Sequence, residues 1–183
     1  MSTVLHGQEP ISDWVARWSH LLPVGCNVLD VACGHGRHMR HFVALGHLVT
    51  GVDRNPEAIA AVKPWGETVC ADIENGPWPL QGRTFGGVVV TNYLWRDLLP
   101  TLVASVAPGG VLLYETFARG QARLGRPSRP EFLLAPGELI EAVRGQLRVV
   151  AFEDGFLPTP PRCVQRIAAV RSGADEAPLN HRL

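Results

Sequence analysis

The chain has 183 residues, 46% of them apolar and 19% charged, with 17 basic side chains set against 17 acidic ones. That length suits one domain with a full core, and the composition is that of an ordinary globular protein. The charge balance excludes bulk electrostatic capture of nucleic acid or of an anionic membrane surface, and leaves room for a local basic patch.

Of the basic residues only Lys63 is lysine. Arginine suits bidentate contacts to carboxylates and phosphates, and a GC-rich coding bias accounts for the pattern as well. Cys26, Cys33, Cys70 and Cys163 form no CxxC pair, and no His/Cys group has zinc-ligand spacing, so no metal is expected. With no leader-like stretch and no long apolar span, a reduced, cytoplasmic setting is expected.

Residues 1–10 are polar. A helix is expected over Ile11–Leu22, capped by Ser12, with Trp14, Val15, Trp18, Leu21 and Leu22 on one face. Its position suggests a lid. Strand Asn27–Ala32 leads to helix Gly36–Leu45, which Gly46 stops. Strand His47–Asp53 is followed by helix Pro56–Val62, with Asn55 as cap and Pro56 at its first position. Strands are expected at Glu67–Ala71 and Phe85–Asn92, and a helix at Asp97–Val106, broken by Pro108-Gly109-Gly110. A fifth strand follows at Val111–Phe117. Ala118–Leu134 interrupts the rhythm with four arginines, and a loop of that length is either functional or disordered. Helix Pro136–Val143 precedes two last strands, Leu147–Phe156 and Cys163–Arg171, and a polar tail starts near residue 172.

Strand–helix alternation implies a parallel sheet covered on both faces. The last two strands are joined through a short segment holding Pro158, Pro160 and Pro161, so they must be antiparallel. The expectation is a single α/β domain over 1–183, with a seven-stranded, mostly parallel, Rossmann-like sheet and a C-terminal antiparallel hairpin.

The strongest local signal is Val28–Phe42, VLDVACGHGRHMRHF. A buried strand runs into a glycine-rich turn and then a helix, and Gly34 and Gly36 let backbone approach a ligand. In open α/β sheets ligands sit beyond the carboxyl ends of the strands, where strand order reverses. A dinucleotide fingerprint would place a third glycine or an alanine where Met39 stands, which weakens a nicotinamide-dependent reductase. Asp30 inside the motif suits a cationic ligand better than a pyrophosphate. Asp53, ending the next strand, can accept both hydroxyls of a ribose, or can serve as a helix cap. Asp72 follows the third strand, and by itself reads equally as a solvated loop residue.

The spacing D-x-A-x-G-x-G resembles motif I of the class I S-adenosylmethionine-dependent methyltransferases. From about Trp14 to Arg171 the chain resembles small bacterial members related to the tellurite-resistance methyltransferase. Ala32–His38, Tyr114-Glu115-Thr116-Phe117, Gly125-Arg126-Pro127 and Phe132–Leu139 carry that likeness. The resemblance implies S-adenosylmethionine as cofactor and S-adenosylhomocysteine as product. It implies backbone contacts from Ala32, Gly34 and Gly36, charge compensation at Asp30, and pairing of Arg37 with the cofactor carboxylate. It further implies ribose contacts from Asp53, with Arg54 beside the adenine, and adenine contacts from Asp72 and Ile73. Asn92 and Tyr93 would stand by the amino group and the reacting methyl.

Methyl transfer from a sulfonium needs alignment and dryness more than proton transfer, and a soft nucleophile needs little base catalysis. Asn92-Tyr93-Leu94-Trp95 is not the N-P-P-Y of base and amide methylases. That difference argues against DNA adenine or protein glutamine methylation, and the resemblance, with the place of these residues after a strand end, makes Asn92, Tyr93 and Trp95 the candidate catalytic residues. Trp14, Arg96, Tyr114, Arg119 and Arg126 are candidates for the acceptor wall, although the Trp14 and Trp18 spacing is commonly that of core or lid packing and the arginine loop reads more readily as a solvated segment. The expected acceptor is a small molecule: a thiol, a metalloid oxyanion or a small anion. RNA or protein methylation, and cofactor binding without catalysis, are the alternatives. No membrane or nucleic-acid partner is expected, and the chain is expected as a monomer or homodimer.

Overall fold

The computed structural model describes residues 10–172, so the polar start and the tail read from the sequence lie outside the described residues, apart from Pro10 and Ser172. Seven strands form one sheet: β1 (Asn27–Val31), β2 (Leu48–Asp53), β3 (Glu67–Cys70), β4 (Phe85–Thr91), β5 (Val106–Phe117), β6 (Arg148–Pro158) and β7 (Pro161–Val170). Their order is β3-β2-β1-β4-β5-β7-β6. The first five are parallel, and β7 runs antiparallel to both β5 and β6. The expected sheet and terminal hairpin are therefore present, and strand order reverses between β1 and β4.

Alternation along the strands sorts the core into two layers. Leu29, Val31, Val88, Val90, Leu112 and Tyr114 face α4 (Leu99–Ala104) and α5 (Glu138–Val143). Val28, Val49, Val89 and Leu113 face α1 (Asp13–Trp18), α2 (Arg37–Ala44) and α3 (Pro56–Val62). Burying both faces of a parallel sheet explains why its central strands read as continuous apolar runs.

Most element boundaries agree with the sequence, and the differences have local causes. The helix expected from Ile11 is α-helical only over Asp13–Trp18 and tightens to a 3₁₀ turn at Ser19–Leu21. The Ser12 side chain caps it, accepting from the Trp14 and Val15 amides. The helix expected from Asp97 starts at Leu99 after a 3₁₀ turn, because Pro100 lacks an N–H and fits only a first turn. The helix expected from Pro136 starts at Glu138, since Gly137 is left-handed (φ 74°). Strand β5 begins at Val106, ahead of Pro108-Gly109-Gly110, through a register shift opposite Phe85 and Gly87.

Helix α1, the expected lid, packs its apolar face into the core. Trp14, Val15 and Trp18 are all buried. The Trp14 indole N–H donates to the Ile167 carbonyl at 3.1 Å, its ring meets Trp18 edge-on, and the Arg166 guanidinium lies over it. No helix among the described residues is long and apolar enough to cross a membrane.

Candidate active site

The turn after β1 is built around three left-handed residues: Ala32 (φ 53°), Gly34 (φ 51°) and Gly36 (φ 73°). A Cβ on Gly36 would stand 2.7 Å from Val62 Cγ1, so glycine there lets α2 pack against α3. Alanine rarely adopts a positive φ, and among the described residues the other non-glycine case is Asn92 (φ 55°). These two residues end the strands that flank the reversal point, β1 and β4. Such strain persists where surrounding structure enforces it, and it clusters at functional sites.

The turn is tied to β2. The Cys33 amide donates to the Val52 carbonyl at 3.0 Å. The Asp53 carboxylate accepts from the Gly34 amide through Oδ2 and from the Asn55 amide through Oδ1, both at 2.8 Å. Each oxygen keeps a lone pair for a ligand hydroxyl. Asp72 is held in the same manner: Oδ1 accepts from the Glu74 and Asn75 amides and Oδ2 from the Asn75 side chain. The Asn75 amide group and these backbone N–H groups keep its pKa below the usual carboxylate range.

Ala32, Asp53, Arg54, Ala71, Asp72, Ile73, Glu74 and Tyr93 line one cavity of about 120 Å³. A second cavity of about 280 Å³ adjoins it through Glu74 and Tyr93, and is walled by Asn92, Leu94, Thr116, Phe117, Pro127 and Phe132. A third, of about 570 Å³, opens outward between Phe117, Pro127, Phe132, Arg126, Ser128 and Arg129. Tyr93 thus stands between the first two chambers. Its hydroxyl is buried near Glu74 without a hydrogen-bond partner, and burial together with Glu74 and Asp72 raises its pKa, so it remains a neutral donor.

The candidates do not all gather here. Ala32, Asp53, Arg54, Asp72, Ile73, Asn92, Tyr93 and Arg126 line the three chambers. Gly34 and Gly36 shape the turn. Asp30 lies off the chamber walls, 1% exposed, with the Met39 amide and Arg37 beside its carboxylate and Oδ2 unpartnered. Burial raises its pKa to about 7. Arg37 points along the same edge, donating to Thr91 Oγ1 at 3.3 Å and to the Pro10 carbonyl.

Several proposed acceptor contacts are placed elsewhere, each for a packing reason. Trp14 is in the core. Tyr114 is buried, and its hydroxyl donates to the Tyr93 carbonyl at 2.9 Å, so it supports the β4 end from below. Arg96 is engaged with Glu138 and with the Glu131 and Leu133 carbonyls. Trp95 packs against the α4–α5 layer. Arg119 is exposed, close enough to Glu138 to lower its pKa. The chambers add Glu74, Leu94, Thr116, Pro127 and Phe132, which sequence reasoning left without a role. For Glu74 a signal existed, since an Asx turn at Asp72 points the following residues back at the same strand end.

These features fit an adenosyl ligand carrying a cationic amino acid end. Two fixed carboxylates face the cavity with free lone pairs, a buried carboxylate oxygen on β1 lacks a partner, and a strained turn exposes backbone at the reversal point.

Comparison with known proteins agrees. Residues 28–110 match the family model described as a methyltransferase domain. No functionally curated protein matches the sequence. Among solved structures, TehB from Haemophilus influenzae superposes with a TM-score of 0.67 at 22% identity, covering 93% of this chain and 63% of that one. The chain therefore spans less than two thirds of TehB. An S-adenosylmethionine-dependent methyltransferase from Methanosarcina mazei gives a TM-score of 0.68 at 15% identity, covering 90% of this chain and 99% of that one. The glycopeptide N-methyltransferase MtfA, solved with S-adenosyl-L-homocysteine, gives 0.58 at 22% identity, covering 87% of each chain. The domain match spans the strand–turn–helix half that builds the first chamber, and the fold of most of the chain is similar to that of these methyltransferase structures.

Proposed function

We propose that the chain methylates a small-molecule acceptor held in the chamber between Asn92, Tyr93, Thr116 and Phe132. The observation that carries this reading is the size and placement of that chamber. At about 280 Å³ it suits a compact molecule, and it meets the cofactor chamber at Tyr93. Bound S-adenosylmethionine supplies a methyl group activated by its sulfonium.

The residues here supply binding, alignment and dryness. Asp53 accepts from the ribose hydroxyls and Asp72 from the adenine amino group. Asp30 and Arg37 compensate the amino and carboxylate ends of the methionine moiety. Leu94, Phe117 and Phe132 keep water from the line of displacement. Asn92, whose backbone N–H donates to the Glu115 carbonyl at 2.9 Å, and the Tyr93 hydroxyl provide polar atoms at the junction. Among the described residues, the titratable groups on the acceptor wall are Glu74, 3.7 Å from Arg54, and Tyr93, whose proton is held tightly. That wall favours a nucleophile that is already deprotonated and soft, such as a thiolate, over one that needs a strong base.

Calorimetry with S-adenosylmethionine, S-adenosylhomocysteine and NADH is the first test, with micromolar binding of the first two and none of the third expected. Formation of S-adenosylhomocysteine with a panel of small thiols is the second. Binding without turnover on thiols, oxyanions and other small anions would favour a non-catalytic cofactor-binding role.

A further inference from the structure

The long arginine-bearing segment after β5 is a built wall. Its ends meet at a bridge between Ala118 and Leu134, with the Leu134 amide donating to the Phe117 carbonyl at 3.0 Å. In its middle, Gln121 is 5% exposed and works in two directions. Its Oε1 accepts from the Cys163 amide at 2.9 Å, and its Nε2 donates to the Arg126 carbonyl at 3.1 Å. Arg126 is thereby tied to strand β7. Farther along, the Arg96 guanidinium donates to the Glu131 and Leu133 carbonyls at 2.7 and 2.9 Å and pairs with Glu138. Glu138 Oε2 also accepts from the Ala135 amide at 2.7 Å. Gln121 within the segment, and Arg96 and Glu138 outside it, thus hold the backbone that presents Arg126, Pro127 and Phe132.

The charges on this wall do not cancel. Arg129 pairs with Glu131 while its guanidinium lies over Phe132. Arg96 pairs with Glu138. Arg119 and Arg126 make no ion pair or side-chain hydrogen bond among the described residues, and no carboxylate lines the outer chamber. The outer chamber is otherwise apolar, with Phe117, Pro127 and Phe132 continuing into the acceptor chamber.

Resting on the acceptor reading above, we infer that the acceptor has an apolar body and an anionic group, the body lying between Phe117 and Phe132 and the anion reaching Arg126 at the mouth. A guanidinium on a braced backbone loses little freedom on binding a carboxylate, and its planar fork suits that group. The apolar surroundings strengthen the pair relative to one in open water. Uncharged acceptors of the same shape would fill the chamber and leave Arg126 solvated, so the wall selects by charge as well as by size.

The test uses benzoate and benzamide, which share a shape and differ in charge. Each is titrated into the whole protein at low salt, with and without S-adenosylhomocysteine. Benzoate should bind about tenfold tighter than benzamide, as one charge-assisted bidentate pair supplies. Arg126→Ala, at an exposed position, should abolish the preference without lowering the melting temperature, and Arg126→Lys should restore part of it. Equal affinities, no saturable binding of either probe, or a preference that survives Arg126→Ala would each overturn the inference. Failure of S-adenosylhomocysteine to bind counts against the cofactor reading alone, because the benzoate comparison stands in its absence.

Discussion

Asp53 has two tasks. It fixes the glycine turn through the Gly34 amide, and it retains acceptor capacity toward a ribose. Asp53→Ala removes both, and loss of hydrogen bonds to a charged acceptor should weaken S-adenosylhomocysteine binding by about 10- to 100-fold. Unchanged affinity in calorimetry would place the cofactor elsewhere. Asp30 differs, being buried and short of partners. Burial raises its pKa to about 7, against the lowering pull of Arg37 and the Met39 amide. The folded chain then holds this proton more tightly than the unfolded chain does. The Asp30 contribution is full below about pH 4 and is lost as pH rises through about 7, by up to about 1.4 kcal/mol per pH unit. Asp30→Asn should therefore melt higher than the parent at pH 8, with little difference at pH 4, in ligand-free thermal scans. It should also bind S-adenosylhomocysteine more weakly.

Two elements have roles that periodicity could not distinguish. Helix α1 has the Trp14–Trp18 spacing of either a lid or a core helix, and its docking on β5 and β7 shows that this face is core. Trp14→Ala should destabilise the chain by about 3–5 kcal/mol, measured by denaturant titration, as expected for an emptied aromatic site. A loss below about 1 kcal/mol would show α1 to be loosely docked. The segment 118–134 read as functional or disordered, and its order comes from Arg96, Gln121 and Glu138, whose hydrogen-bond partners no local pattern identifies. Arg96→Ala should speed amide hydrogen exchange across 130–135 while leaving strands β1 and β4 protected. Unaltered exchange there would mean that the Ala118–Leu134 bridge suffices.

At the scale of the whole molecule, two buried titratable groups that share Arg37 as a neighbour pull stability in opposite directions with pH. Burial, with Arg37 and His41, lowers the His38 pKa to about 3. Its neutral form is the folded one, so its contribution is full above about pH 6.5 and is lost as pH falls toward 3. Between about pH 4 and 6.5 the slopes from Asp30 and His38 oppose each other. The parent should be nearly flat in that window. Asp30→Asn should become more stable with rising pH and His38→Gln less stable, in parallel urea titrations. Parallel profiles for all three proteins would refute the assignment.

The sequence by itself determined the sheet and its ligand edge. Apolar runs of strand length, glycine and proline stops, and the absence of a helix between the last two strands give the strands in chain order, mostly parallel, with a terminal antiparallel hairpin. The positions of Ala32, Asp53, Asp72 and Asn92 at successive strand ends follow from that order, because a parallel sheet brings its carboxyl ends to one side. Only the tertiary structure decided which side chains face the chambers. Trp14, Tyr114 and Arg96 are of types that suit an acceptor wall, yet two of them are held by packing and one by Glu138 and backbone carbonyls. Phe132, Pro127 and Thr116 arrive from segments distant in the chain. Local pattern records the period of an element and the residue at its end, whereas the partner of a side chain across the fold depends on where every other element docks.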